Sequence, residues 1–398
     1  MVVSAELVSR SGDRKGELVE FSRGPRFDGA FREAFAGRFG EAAEVEEEQF
    51  INFLDFFVLQ HRLPDGRTVV EHFVAEHPRL LEEERAMLLG WREVVEGIFR
   101  VQRRDGDALV AVNLVDELTY RVRSNRGPTA LASMRSGMFL VARLVPIGEE
   151  WLLSGASTLL PASSRREAYR LAAKLAAKHP ALVFRNPDRL EQGRQRQREE
   201  RRHFIAFFDT DLVVLSGDEL AERMAAYWHF RMHEVRDAEG RSAADHIRER
   251  YGPAAQLPEF DLPADLGEAD TVAVVYDEIE GNYLWADFGV LQETFADPAL
   301  AARRRHREAV LGYLESPTIS PLAIRRLAEP DPERASRVFR RVLRRPEFFW
   351  ERDGEVLLRQ YKASWFERPV LPSVTPISQA LSDHYGPDRR PSRGGKRS

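Results

Sequence analysis

Two histidines at helical spacing are the first candidates for chemistry. His229 and His233 lie four residues apart in the segment AYWHFRMHE, which its pattern predicts to be helical. This spacing places both imidazoles on one side of a helix, where they could share a metal ion. The glutamate of metalloprotease motifs is absent, because Phe230 and Met232 occupy its two positions. The alternative is a solvated or partner-facing surface, since the apolar residues of the segment fall on the other side of the helix.

A cluster of carboxylates is the second candidate. Asp277, Glu278 and Glu280 crowd the turn of a predicted hairpin, and Asp287 follows on the returning strand. Carboxylates that converge can hold Mg²⁺ or Ca²⁺ or act as an acid/base pair. A turn is also where solvated acids are common, and the Asp-x-Asp-x-Asp-Gly pattern of a calcium loop is missing. A metal-dependent hydrolase and a solvated turn both remain as interpretations.

Arginines on a predicted helix near the C-terminus form the third candidate. Aromatic residues follow them between Phe348 and Trp365, and this combination suits phosphate contacts and base stacking. The segment 259–297 contains 11 acidic and no basic residues, so it could instead pair with the arginines inside the fold. The candidate nucleic-acid contacts are Arg337, Arg340, Arg341, Arg344 and Arg345.

Composition excludes several classes of chemistry. The chain of 398 residues has no cysteine, which removes disulfides, thiolate metal sites and thiol nucleophiles. Phosphate-binding loops, the serine hydrolase G-x-S-x-G, the dinucleotide G-x-G-x-x-G and the kinase motifs are also absent. The first residues do not resemble a signal peptide, and no apolar run is long enough to cross a membrane. We therefore expect a cytoplasmic protein without a cofactor or membrane contact, and catalytic residues cannot be assigned.

Hydrophobic periodicity predicts an α+β fold. The first hundred residues are mainly helical, and five short β-branched runs follow at close spacing, which is typical of a small antiparallel barrel or curled sheet. The predicted helices are 27–39, 46–60, 68–76 and 80–95. The predicted strands are 98–102, 108–114, 118–122, 139–145 and 151–154.

The remaining chain alternates strands and helices. Ser164 with Glu167 and Ser216 with Glu219 fit capping boxes that begin helices, and 204–215 is predicted as a strand. Two hairpins are predicted, 271–276 with 283–288 and 348–351 with 355–361. Helices are expected at 189–203, 298–314 and 332–343, the last with Asp331 as its cap and Pro332 at its first position.

These elements predict an α+β protein with a helical N-terminal part, a small antiparallel β unit and a C-terminal α+β part with two hairpins. The predicted regions are a helical region 1–95, the β unit 96–162, a helical region with one strand 163–250, a linker 251–267, an α+β region 268–372 and a mostly disordered basic tail 373–398.

The segment 53–161 resembles a known type of region. Its sequences FLDFFVLQHRLPDGRTVVEHFVAEH, EEERAMLLGW and GMFLVARLVPIGEEWLLSGASTLLP are similar to the region that precedes a zinc-binding SEC-C motif in uncharacterised bacterial proteins. The resemblance covers little more than a quarter of the chain, and the cysteine-rich zinc motif is missing. It implies an adaptor or binding role and assigns no functional residue.

The sequence thus predicts a non-catalytic protein that binds a protein partner or acts as an adaptor. A nucleic-acid-associated protein that uses the arginine-rich helix is the first alternative. A metal-dependent hydrolase that uses His229 and His233, or the acidic hairpin, is the second.

Overall fold

The protein is described from a computed structural model that covers residues 3–40, 44–257, 266 and 268–384. The chain forms two compact units. Unit 1 runs through Leu190 and includes the chain from Thr375 onward, and unit 2 is Glu191–Val374. Within the described ranges, no helix combines the length and the apolar character needed to span a membrane. Most of the predicted linker and the end of the predicted basic tail lie outside the described residues.

Unit 1 begins with five helices that enclose an aromatic core. Phe53, Phe57 and Phe73 are almost completely buried among them, together with Trp91. The first helix was not predicted, because its sequence is polar; its N-terminus is capped by the Ser4 hydroxyl, which accepts from the Leu7 amide. The helices are α1 (Ala5–Ser22), α2 (Asp28–Phe39), α3 (Glu47–Leu59), α4 (Val69–Glu76) and α5 (Glu82–Gly90).

Five strands follow and close into a barrel in the order β1-β2-β3-β5-β4. All five were predicted, and four of the five strand pairs are antiparallel as expected, whereas the fifth pair is parallel. The barrel closes through a parallel pair between β3 and β5, in which Val122 lies opposite Trp151. Phe99, Tyr120 and Leu109 fill the interior. The strands are β1 (Val95–Asp105), β2 (Ala108–Asn113), β3 (Thr119–Arg123), β4 (Phe139–Ile147) and β5 (Glu150–Leu160).

Strand β5 contains a bulge where it pairs with β4. Arg143 lies opposite Ser154, but Val141 lies opposite Thr158, so β5 contains extra residues between these pairs. Gly155 adopts a positive φ of 67° there. A Cβ atom at this position would lie 2.4 Å from the Asn52 Oδ1 atom of α3, so glycine is required both by the backbone conformation and by the close approach.

Helix α6 (Arg165–Lys178) packs against β1 through a face of alanines. The predicted capping box of Ser164 and Glu167 does not form, because Ser164 ends a 3-10 turn and lacks the extended backbone that an N-cap needs. The next helix, α7 (Pro187–Phe208), includes residues 204–208, which were predicted as a strand. Phe204, Phe207 and Phe208 follow helical rather than alternating spacing.

Unit 2 is built on the antiparallel sheet β6-β7-β8, with β6 (Leu212–Ser216), β7 (Thr271–Asp277) and β8 (Gly281–Ala286). The last two strands confirm the first predicted hairpin. The predicted capping box of Ser216 and Glu219 is also confirmed, and it begins α8. The helices of this unit are α8 (Gly217–His233), α9 (Ala243–Tyr251), α10 (Phe288–Ala296), α11 (Arg304–Glu315), α12 (Leu322–Ala328), α13 (Pro332–Leu343), α14 (Trp350–Tyr361) and α15 (Ala363–Glu367).

The second predicted hairpin was wrong, since its strands form the single helix α14. Trp350, Leu357 and Leu358 are buried at the first, eighth and ninth positions of this helix, which is helical spacing. Gly354 is part of the helix and not of a turn, because a Cβ atom there would lie 2.7 Å from the Trp350 ring. Asp353 caps the helix by accepting from the Phe349 amide at 2.9 Å. A short helix, α16 (Gln379–Ser382), belongs to unit 1.

The overall class is therefore α+β, as the sequence predicts. In unit 1, α3 and the bulged strand β5 lie next to each other. In unit 2, α13 is held by a buried face that includes Val338, Phe339 and Val342. These two places position the side chains of the candidate sites.

Candidate functional site

Helix α13 presents a surface of exposed arginines. Its N-terminus is capped by Asp331, which accepts from the Arg334 amide at 2.9 Å, and Pro332 occupies the first turn, as predicted. Because one side of the helix is buried, the arginines fall on the other side and just beyond its end. We call the exposed residues the arginine face: Arg337, Arg341, Arg344 and Arg345.

Backbone carbonyls and an aromatic ring hold parts of this surface in place. Arg340 was also predicted as a nucleic-acid contact, but it is half-buried. Its Nε atom donates to the Phe348 carbonyl at 2.8 Å, and its guanidinium lies 4.4 Å from the centre of the Phe349 ring. Arg341 donates through Nη1 to the Pro298 carbonyl at 3.0 Å. Arg344 adopts a left-handed conformation with φ of 55°, which ends the helix.

The arginine face forms no ion pair with a carboxylate among the residues that the structure describes, although the charge of Arg345, after the hydrogen bond from Arg352, helps to lower the pKa of Asp353. None of its four arginines, nor Arg340, forms an ion pair there. Neighbouring arginines differ, because Arg334 pairs with Asp331 and Arg352 pairs with Asp353. Within the described part of the chain, most of the positive charge of the arginine face therefore faces solvent without a close counter-ion.

The acidic hairpin is occupied by other partners. Asp277 pairs with Arg326 of α12 at 2.6 Å and accepts from the backbone amides of Ile279 and Glu280. Burial alone would raise the pKa of Asp277, but these amides and the Arg326 charge hold it below its usual value. Asp277 thus finds its cation on α12, and Asp270 pairs with Arg305 of α11, so neither of these carboxylates pairs with the arginine face.

The carboxylates of this hairpin do not converge on one point. Glu280 accepts from the Tyr283 hydroxyl at 3.2 Å and from Ser320, whereas Asp277 contacts Arg326. Asp287 lies beyond β8, before α10. Among the described residues, no group of three acidic or histidine side chains is arranged to hold a metal ion. The arrangement does not support the acidic hairpin as a metal or acid/base site.

The two histidines of α8 are neighbours without a third ligand. The ring centres of His229 and His233 lie 4.5 Å apart, and His229 Nδ1 is 3.8 Å from a Glu234 carboxylate oxygen. His229 is exposed, while Leu220 and Met224 are buried on the opposite side, as the helical pattern predicts. The helix brings the imidazoles together, but the part of the chain that the structure covers adds no group that completes a metal site.

Unit 1 contains a charged network that the sequence patterns do not predict. The Asp55 carboxylate of α3 is buried, and its Oδ1 atom accepts from Lys15 Nζ and from Ser154 Oγ, both at 2.6 Å. Its Oδ2 atom accepts from Arg143 Nε at 2.9 Å. Burial alone would raise the pKa of Asp55, but the charges of Lys15 and Arg143 hold it below its ordinary value.

The network borders a cavity of about 380 Å³. Lys15, Asp55 and Ser154 lie on its wall, together with Trp91 and the bulge at Gly155. Only one sequence feature marks this site: Asp55 is a lone charge in the otherwise uncharged segment 49–59. Its partners are 40, 88 and 99 residues away along the chain, so local patterns do not connect them.

The chain matches no protein-family model, no curated protein and no solved structure. The resemblance of the segment 53–161 to the region before a SEC-C motif therefore stays a prediction. Functional inference depends on the geometry of the sites themselves.

Proposed function

We propose that the protein binds nucleic acid through the arginine face of unit 2 and acts without catalysis. The observation that carries the proposal is the exposure of four neighbouring arginines that form no ion pair among the described residues. Guanidinium groups stay charged at every physiological pH, and their paired N–H groups match phosphate oxygens. A polyanion would neutralise the charge that the described residues leave without an ion pair.

The spacing of the arginines suits a nucleic-acid backbone. Arg337 and Arg344 are separated by about 10 Å along the axis of α13, at about 1.5 Å per residue. One DNA strand presents a phosphate about every 3.4 Å along its axis, so this distance corresponds to about three phosphates. The arginine face is thus matched in length to a short run of backbone.

The aromatic residues do not add base recognition to this surface. Phe348 and Trp350 are buried, and the guanidinium groups of Arg340 and Arg352 lie 4.4 Å and 5.2 Å from the centre of the exposed Phe349 ring. The ring therefore positions arginines and is not free to stack on bases. Contacts restricted to phosphates give binding that is independent of base sequence.

Salt dependence tests the proposal. Fluorescence anisotropy of labelled duplex DNA, measured over a series of salt concentrations, gives the number of phosphates that the protein neutralises. Four contacts predict a slope of log K against log salt of about −3.6 for duplex and about −2.8 for a single strand. Changing all four residues of the arginine face to glutamine should abolish binding, and each single change should reduce the slope by about one.

A matched control removes four arginines that already have carboxylate partners. Arg23, Arg26, Arg198 and Arg236 are exposed and pair with Glu20, Glu76, Glu191 and Asp245. Changing these four to glutamine alters the net charge equally and should leave binding nearly unchanged. The proposal is wrong if both variants lose affinity equally, or if the unaltered protein binds poly-glutamate but neither DNA nor RNA. The second result would favour an acidic protein partner and the adaptor role.

A further inference from the structure

The cavity in unit 1 has more cations than carboxylates on its wall. Its wall includes two cations, Lys15 and Arg126, and one carboxylate, Asp55. Both oxygens of Asp55 are already engaged, because they accept from Lys15, Ser154 and Arg143. The Arg126 guanidinium, which is exposed, has no hydrogen-bond or ion-pair partner among the residues described for this unit. The cavity therefore carries net positive charge.

Lys15 keeps one unused donor beside the cavity. Its ammonium group has three N–H donors; one donates to Asp55 Oδ1 at 2.6 Å and one to Ser154 Oγ at 3.1 Å. No acceptor for the third donor occurs in the described chain. Trp91 flanks the group, with its ring centre 5.3 Å from Nζ. Asp55 and Ser154 thus fix the position of the ammonium and leave part of it uncommitted.

The remaining wall combines apolar side chains, the bulge of β5 and the polar side chains of Ser124, Asn125 and Ser157. Val145, Leu152 and Trp91 provide buried apolar surface. Gly155 brings the backbone of β5 toward α3, where the Ala156 amide donates to Asn52 Oδ1 at 2.9 Å. Bulges of this kind are common beside binding sites, since they redirect side chains and interrupt pairing.

We infer that this cavity binds a small organic anion, whose carboxylate or phosphate lies against Lys15 and Arg126 and whose apolar body packs on Trp91, Val145 and Leu152. A volume of about 380 Å³ falls within the range of small-molecule sites. A buried ionic network is costly and adds little stability by itself, but a fixed ammonium beside an apolar cavity orients an anionic ligand. This site is in unit 1 and does not depend on the proposed nucleic-acid binding.

Titration calorimetry with matched charged and neutral probes tests the inference. The anions are hexanoate, benzoate and phenyl phosphate, and the neutral counterparts are hexanamide, benzamide and phenol. At least one anion should bind with a stoichiometry of one and about tenfold more tightly than its counterpart, as expected for one charge-assisted hydrogen bond. K15M should remove this preference.

A second variant keeps the test valid if K15M does not fold. Ala130 is exposed on the rim of the cavity, and Ala132 is exposed nearby but does not border it. A130W should block binding, whereas A132W should leave it unchanged. The inference is overturned if no anion of the panel binds, if anions and neutral counterparts bind equally, or if A130W binds as well as A132W.

Discussion

The two units contain charge chains of the same composition in very different surroundings. In each, two cations alternate with two carboxylates, and the contacts between neighbours are 2.6–3.3 Å long. The chain in unit 1 is Lys15, Asp55, Arg143 and Glu96. The chain in unit 2 is Arg201, Asp211, Arg326 and Asp277.

The difference lies in solvent exposure at the centre. The Asp55 side chain is 2% exposed, whereas the Asp211 and Asp277 side chains are 21% and 14% exposed. An ion pair that retains water contact is worth little, but a buried charge that loses its partner is strongly unfavourable. The two chains carry the same charges, but their carboxylates differ in exposure. We therefore expect mutations in the unit 1 chain to lower stability more than mutations in the unit 2 chain.

Asp55→Ala should give the largest effect. The change leaves Lys15 and Arg143 without their shared carboxylate in a buried site and should lower the free energy of unfolding by about 3–5 kcal/mol. Because the folded pKa of Asp55 lies below its unfolded value, its contribution is present above about pH 4 and is lost as the pH falls. Urea unfolding of the variant at several pH values measures both effects.

Asp13→Ala is the control for that change. Asp13 is exposed on the same helix as Lys15, so its removal should alter stability by no more than about 0.5 kcal/mol. Equal losses for both variants would mean that Asp55 contributes no more than a surface charge, contrary to the comparison.

Elements with a strong local pattern were predictable. The five barrel strands have β-branched runs and short turns, and α13 has both its cap and its first-turn proline in the sequence. α14 was mistaken for a hairpin because Arg352, Asp353 and Gly354 imitate a turn. The glycine is needed instead for the tight packing of Trp350, a tertiary contact that local sequence does not reveal.

The same distinction applies to the candidate sites. The arginine face was predicted because its residues lie within nine positions, on α13 and just beyond its end. Its exposure was not predictable, because the sequence does not show that Asp277 pairs with Arg326 instead. The Asp55 network was not predicted, since its members come from two helices and two strands. Only the closed barrel and the bulge of β5 bring them together.

Arg326→Gln removes the central cation of the charge chain in unit 2 and tests whether this partly exposed chain contributes less stability than the buried chain in unit 1. It leaves Asp211 and Asp277 partly exposed, so water can replace part of the lost interaction. We expect a loss of about 2 kcal/mol, between the values for exposed and buried pairs. Arg337→Gln, which removes an exposed and unpaired arginine, should change stability by less than about 0.5 kcal/mol. A loss for Arg326→Gln as large as that for Asp55→Ala would remove the distinction based on exposure.

Lys362 extends the comparison to a buried cation without a carboxylate partner among the described residues. Its Nζ atom donates to the Ser316 and Ile319 carbonyls, both at 2.8 Å, and burial lowers its pKa to about 8. Above this pH the unfolded chain holds a proton that the folded chain has released, so stability should rise with pH. The expected gain in the free energy of unfolding is about 1.5 kcal/mol between pH 8 and about 9.5, before tyrosines titrate in the unfolded chain.

Lys362→Met should lack this gain in the free energy of unfolding while it still unfolds cooperatively in urea. A gain that persists in the variant would assign the pH dependence to another group, and a flat profile in the unaltered protein would show that two carbonyls stabilise the ammonium as well as water does.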